Sequence, residues 1–166
     1  MSAIFKREFK SYFTSPLGYV FLTIFFFFEG MFFSTIYAAG SPDISYVIVA
    51  MSTVIVFVTP VLTMRLLSED RKQKVDQALL TAPVSVTGII LGKFFAAFST
   101  FALAFSLTII FQIIVATKVT VNWLAYLNMV FGILLIGAAF VAIGMFISSL
   151  TESQVISCIL TLVAFL

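Results

Sequence analysis

A single acidic side chain lies in the middle of a long apolar stretch, where an ionisable group is rare. Glu29 follows four consecutive Phe residues, and two more Phe come within the next four positions. A charge at the centre of a bilayer costs at least about 2.5–3.5 kcal/mol. The carboxyl group can serve as an ion or proton site in a transport path, or it can be a neutral group that hydrogen-bonds neighbouring helices. The sequence leaves both interpretations open, since no Lys or Arg is expected at matching depth.

The sequence shows no recognisable arrangement of the residues that usually carry enzyme chemistry. The sequence has no His, which removes the commonest general base and the usual zinc ligand. Its one cysteine, Cys158, cannot form an internal disulfide. No GxxxxGK[ST] phosphate loop, metal-ligand cluster or nucleophile with a neighbouring base occurs. We therefore expect no enzyme and no cofactor, and a net charge of +2 does not indicate nucleic-acid binding.

The composition places the chain in a membrane. Of the 166 residues, 62% are hydrophobic and 10% are charged, whereas about 25% are charged in a soluble domain. So few charges cannot cover a surface that faces water, which excludes soluble, disordered, collagen-like and disulfide-rich proteins. We predict an all-α protein, a polytopic bundle of transmembrane helices that forms one domain over residues 1–166.

Four apolar runs are long enough to cross a bilayer, which takes about 20 residues of helix. They cover residues 17–38, 46–64, 94–116 and 124–147. A fifth run, residues 155–166, is too short to cross and reaches the last residue of the sequence. We interpret it as the truncated start of a further span in a longer protein.

The basic residues predict the orientation of these spans. Eight of the nine Lys and Arg residues precede the first span or lie between the second and third: Lys6, Arg7, Lys10, Arg65, Arg71, Lys72, Lys74 and Lys93. The positive-inside rule then places the N-terminus in the cytoplasm. A cleaved signal peptide ending near Ala38 is the alternative for the first run, which is longer than the 7–15 residues or so of a usual signal sequence.

Residues 3–14 predict an amphipathic helix that lies on the membrane surface. Phe9 and other apolar side chains fall in one half of the helical wheel, and Lys6 and Arg7 fall in the other. Such a basic helix binds at the headgroup level of a bilayer. Glu8 points into the apolar half, so it either extends to the edge of the apolar stripe or meets another protein segment.

The longest polar stretch connects the second and third spans. Ser68 can cap a helix with Glu69 and Asp70 in its first turn, and Val75 and Leu79 then form an apolar stripe. Pro83 ends this helix. Connections in helix bundles usually have about 2–8 residues, so this longer amphipathic segment is expected to dock a partner.

Small residues predict close helix packing, and a proline predicts a kink. Gly30 and Ser34 form a small-residue stripe on the first span, and Gly137 and Gly144 do so on the fourth. Such residues let helices approach closely, within one bundle or across a dimer. Pro60 should kink the second span, where the hydroxyl groups of neighbouring Thr59 and Thr63 could satisfy freed backbone groups.

Several strings in this sequence resemble permeases of the ABC-2 type. They are MRLLSEDR at residues 64–71, DQALLTAPVS at 76–85, LGKF at 91–94, and KREFKSYF at 6–13 followed by Ser15-Pro16-Leu17. The resemblance covers essentially the whole sequence and is closest to the branch related to gliding-motility permeases. One departure is Lys74-Val75-Asp76, where many members have a Gly-Thr pair.

The resemblance implies an architecture and a mechanism. A complete subunit would have six spans and would pair with a second permease subunit, as a homodimer or heterodimer, in the lipid bilayer of a bacterial cytoplasmic membrane. ATP hydrolysis on a separate ATP-binding cassette ATPase subunit would drive export, or extraction of substrate from the membrane, by alternating access. The coupling helix that docks on the ATPase would fall on residues 68–85, with contacts from Glu69, Asp70, Arg71, Val75, Leu79 and Pro83.

Two other functions fit the residues without the resemblance. One is an ATP-independent secondary transporter or channel that uses Glu29 as an intramembrane ion or proton site. The other is a membrane scaffold with no transport activity. Detection of a co-purifying ATPase would separate the ABC-type transporter from both.

Overall fold

The computed structural model describes residues 2–40, 43–69 and 86–166, and these ranges form helices and no strand. The helices are α1 (Ser2–Thr14), α2 (Pro16–Ala38), α3 (Ile44–Thr63), α4 (Val86–Phe105), α5 (Leu107–Ala116), α6 (Trp123–Leu150) and α7 (Gln154–Phe165). The predicted all-α fold is confirmed. A helix is the natural state of these sequences because it satisfies every backbone polar group within the segment, which lipid requires.

Within the described ranges, four stretches are long and apolar enough to cross a membrane: Pro16–Ala38, Ile44–Thr63, Val86–Ala116 and Trp123–Leu150. Helix α7 is apolar but shorter. Many large apolar side chains on the outside of the bundle are exposed, Phe27 and Phe131 among them. In a polytopic membrane protein these side chains face lipid.

The third span differs from its prediction in two ways. Its helix begins at Val86, so Lys93 lies within α4 and is buried rather than in a loop. The span is also interrupted at Ser106, between α4 and α5. The Ser106 hydroxyl donates to the carbonyl of Leu103 at 2.6 Å, and the Ser106 amide donates to the same carbonyl at 3.2 Å. Serine can compete in this way for the helix backbone, which tightens the turn.

Helix α3 continues through Pro60 and is the most enclosed of the four spans. The Thr63 hydroxyl donates to the carbonyl of Thr59 at 3.1 Å. The Thr59 hydroxyl is buried and has no hydrogen-bond partner among the described residues. The prediction that both threonine hydroxyls satisfy backbone groups near the proline is therefore wrong for Thr59.

Glycines on α6 allow two close helix contacts. A Cβ atom at Gly137 would collide with the ring of Phe101 on α4, and one at Gly144 would collide with the side chain of Thr63 on α3. Gly30 on α2 differs, because a Cβ atom there would meet nothing within 4 Å. Ser34 is exposed as well. The α2 stripe therefore does not pack within the described part of the bundle.

Aromatic rings fill the core between α2 and the third span. The ring of Phe25 lies 6.0 Å from that of Phe101 and 6.0 Å from that of Phe105, both at steep angles. Near the other end of α2, the ring of Phe33 stacks on that of Phe111 at 4.3 Å. Such pairs stabilise by about 0.5–1.5 kcal/mol beyond their buried area. They fix the register of α2 against α4 and α5.

Candidate functional site

Polar side chains from four elements meet at the end of the bundle where α3 ends. We call this set the polar junction; it comprises Glu8, Ser11, Tyr12, Ser15, Arg65, Glu69, Lys93 and Ser148. It surrounds the chain at residues 64–69, which lead into the predicted coupling segment. Each member contacts α1, α4, α6 or the chain that leaves α3, so the junction connects these elements.

Tyr12 anchors α1 to the end of α3. It is almost fully buried, and its hydroxyl donates to the carbonyl of Leu62 at 3.0 Å. Burial raises the pKa of the Tyr12 hydroxyl well above its ordinary value, although the nearby Arg65 charge opposes this. The group therefore stays a neutral hydrogen-bond donor. Gly18 at the start of α2 makes room for this arrangement, because a Cβ atom there would collide with the Tyr12 carbonyl.

Arg65 joins the chain that leaves α3 to α1. Its guanidinium donates to the Ser15 hydroxyl at 2.6 Å and to the Ser11 hydroxyl at 2.8 Å. It also pairs with the Glu69 carboxylate at 2.8 Å, one turn further along the chain. The guanidinium carbon lies 5.9 Å from the centre of the Tyr12 ring. A planar guanidinium can satisfy several acceptors at once, which lysine could not do with the same geometry.

Lys93 joins α4 to the same chain and to α1. Its ammonium group is buried, donates to the Leu66 carbonyl at 2.7 Å and lies 3.3 Å from the Glu8 carboxylate. Glu8 also pairs with Arg7 at 2.6 Å. Of the two interpretations of Glu8, the structure therefore shows contact with another protein segment.

Ser148 of α6 binds the turn that follows α3. Its oxygen accepts from the amides of Leu67 and Ser68, both at 3.1 Å, and its hydroxyl donates to the carbonyl of Met64 at 3.1 Å. The Ser68 hydroxyl also donates to Met64. The amides that a Ser68 cap would bind, at residues 70 and 71, lie outside the described residues, so its capping role stays a prediction. Ser148 satisfies two amides and one carbonyl of the turn that follows α3.

Most of the predicted coupling residues lie outside the described residues. Of the six, Glu69 is described, and Asp70, Arg71, Val75, Leu79 and Pro83 are not. On α1, Lys6 and Arg7 are exposed. The Phe9 ring stacks on that of Phe5 at 5.7 Å and lies 5.0 Å from that of Phe13, so these rings share one face.

Glu29 is fully buried in the middle of α2. Neither carboxyl oxygen has a hydrogen-bond partner among the described residues. Phe25, one turn before it, packs on Phe105, and Phe33, one turn after it, stacks on Phe111. Glu29 therefore faces the part of the third span that holds the break at Ser106.

The sequence did not single out several members of the polar junction. In the sequence, Arg65 and Lys93 stood out as charges that orient the spans and as parts of the strings that resemble the family, and Ser148 did not stand out. One signal in the sequence could have indicated the junction: a basic residue lies at each end of the long connection, Arg65 and Lys93. Among the described residues, no group of three or more His, Cys, Asp or Glu side chains could hold a metal ion.

Comparisons with known proteins identify the family. A family model described as ABC-2 family transporter protein matches residues 38–166, which include α3 to α7. The match leaves α1 and nearly all of α2 outside, so it is narrower than the resemblance over the whole sequence. Comparison with curated proteins and with solved structures gives no match. With several apolar spans and a family match over most of its length, the chain is a multi-pass membrane protein of the ABC-2 transporter family.

Proposed function

We propose that this permease subunit moves its substrate across or out of the membrane by alternating access, driven by ATP hydrolysis on a separate ATP-binding cassette ATPase. The ATPase docks on residues 68–85. Movement of that segment then passes through the polar junction to the spans. A second permease subunit completes the transporter, as the family resemblance implies.

The observation that carries this proposal is the attachment of residues 64–69 to three other elements. Arg65 contacts Ser11 of α1, Lys93 contacts the chain from α4, and Ser148 binds it from α6. A solvated connector would need none of these contacts. A segment that transmits force needs them, because force on a loose loop would be lost in local motion.

The orientation follows from the charge distribution. With the N-terminus in the cytoplasm, eight of the nine basic residues lie on the cytoplasmic side. The polar junction is then cytoplasmic, which is where an ATPase could reach residues 68–85. The membrane in question is the cytoplasmic membrane of a bacterium, as the resemblance implies.

The experiment that tests this proposal changes the predicted apolar stripe of residues 68–85. Leu79→Asp places a charge where the ATPase is expected to contact the segment, and burying an unpaired charge is strongly unfavourable. We expect at least a tenfold loss of ATPase co-purification with the full-length protein, which corresponds to about 1.4 kcal/mol. Gln77→Asp introduces the same charge on the opposite side of the predicted helix and should leave co-purification unchanged. Full retention of the ATPase by Leu79→Asp would show that the docking assignment is wrong.

The burial of Glu29 favours a second candidate function, an ATP-independent secondary transporter or channel. A carboxyl group within a span is a functional candidate by default, and that of Glu29 has no hydrogen-bond partner in the described ranges. This alternative predicts that Glu29→Gln abolishes activity and that ATP depletion at constant proton-motive force does not. Our proposal predicts that ATP depletion alone stops transport.

A further inference from the structure

A cavity lies at the end of the bundle opposite the polar junction. Helix α3 runs from the cavity at Ile44 to the junction, and α6 runs from Tyr126 at the cavity to Ser148. The cavity has a volume of about 480 Å³, within the range of about 300–1,000 Å³ that is typical of small-molecule sites. It is large enough for a small organic ligand.

One carboxylate decides the charge of this cavity. Four helix ends meet around it: the C-terminal ends of α2 and α5, and the N-terminal ends of α3 and α6. Their opposite half-charges offset each other. Among the described residues that line the cavity, Asp43 alone is charged, and its carboxylate accepts from the Ser45 amide at 2.9 Å. Asp43 and Lys118 are both exposed, so solvent screens both charges, and Lys118 lies outside the cavity lining.

Two buried polar side chains of the cavity offer contacts to a ligand. Gln112 is 2% exposed, and its amide oxygen has no hydrogen-bond partner among the described residues. Leaving such a group unsatisfied costs about 1–3 kcal/mol. Tyr126 is also buried, and its hydroxyl lies 3.1 Å from that of Thr108. This bond holds Tyr126 in place, and an aromatic ring attracts cations.

The rest of the lining is aliphatic. Ile44, Val115, Val119 and Val121 contribute apolar surface. We propose that this cavity binds an organic ammonium cation, whose charged group pairs with Asp43 and faces Tyr126 and whose apolar part contacts these side chains. Gln112 then finds the hydrogen-bond partner that it lacks. This site is independent of ATPase docking, so either proposal can fail without the other.

Cysteine labelling tests this site on the full-length protein in nanodiscs, where both faces are accessible. Cys158, the one native cysteine, is first replaced by Ser. Gln112→Cys is then treated with a cationic or an anionic methanethiosulfonate reagent, each rate being normalised to that of a free thiol. We expect about a tenfold preference for the cationic reagent, the size of effect that one nearby charge gives near a protein surface. Asp43→Asn should remove the preference.

Competition with benzylammonium chloride, whose N–H groups can donate to an amide oxygen, completes the test. It should slow the labelling of Gln112→Cys, and sodium chloride at equal concentration should not. Thr117→Cys, exposed five residues further along and outside the cavity lining, is the matched control and should show no protection. If Gln112→Cys folds poorly, Ala125→Cys, at the cavity wall, serves as a second reporter. Equal rates for the two reagents, or no protection at either cavity position, would overturn the proposal.

Discussion

At the scale of single residues, the polar junction combines side-chain pairs with side chains that bind backbone groups. Ser148, Lys93 and Tyr12 all contact amides or carbonyls near the end of α3. The last turn of a helix leaves its carbonyls without intrahelical partners. These side chains satisfy such groups in a buried place, where water cannot do so.

Replacing Ser148 with Ala should loosen the start of the coupling segment. The change leaves the amides of half-buried Leu67 and buried Ser68 without their acceptor, at a cost of about 1–3 kcal/mol. We expect a lower unfolding temperature and lower ATP-driven transport, with ATPase binding retained. Ser149→Ala is the control, because its exposed hydroxyl bonds only within its own helix, to Phe146 at 2.6 Å. A Ser148→Ala protein with unchanged stability and transport would contradict this role.

At the scale of elements, some glycines of helix α6 lie in close contacts with other helices and others do not. Gly144 faces the side chain of Thr63, whereas Gly132 on the same helix has open space around it. The two positions therefore make opposite predictions for the same substitution. Alanine favours a helix over glycine by about 1 kcal/mol when nothing obstructs its methyl group.

Gly144→Ala should destabilise the protein, because the added methyl group collides with Thr63 and pushes α6 away from α3. Overpacking of this kind costs about 1–3 kcal/mol. Gly132→Ala should be neutral or stabilising. Thermal unfolding of the two variants in the same detergent measures the difference. Equal unfolding temperatures would show that the α3–α6 contact is looser than the structure indicates.

The helices were the part of the structure that the sequence predicted best, although one of them was predicted without its break. Long apolar runs predicted the spans because a chain in lipid must satisfy its own backbone. The break at Ser106 escaped prediction, since a single serine in an apolar run more often stays within a helix. The polar junction was not predicted either. Its bonds join residues far apart in sequence, such as Arg65 with Ser15 and Ser68 with Ser148, separated by 50 and 80 positions.

At the scale of the whole molecule, the two ends of the bundle have different characters. One end holds the polar junction, with its arginine, lysine and carboxylates. The other end holds a cavity whose described lining includes one carboxylate, aliphatic side chains and an amide oxygen that has no hydrogen-bond partner among the described residues. In our account, ATP hydrolysis acts at the first end and the four spans carry the movement. Glu29, buried between the two ends, faces the break in the third span.

A nucleotide-dependent distance between α1 and the α6–α7 turn tests this account most directly. Spin labels at Lys10 and Glu152, both exposed, report on two elements next to the junction. We predict that trapping the full transporter with ATP and vanadate shifts the distance distribution in the native protein and leaves it unshifted in Leu79→Asp. An identical distribution with and without nucleotide in the native protein, or an equal shift in Leu79→Asp, would contradict coupling through residues 68–85.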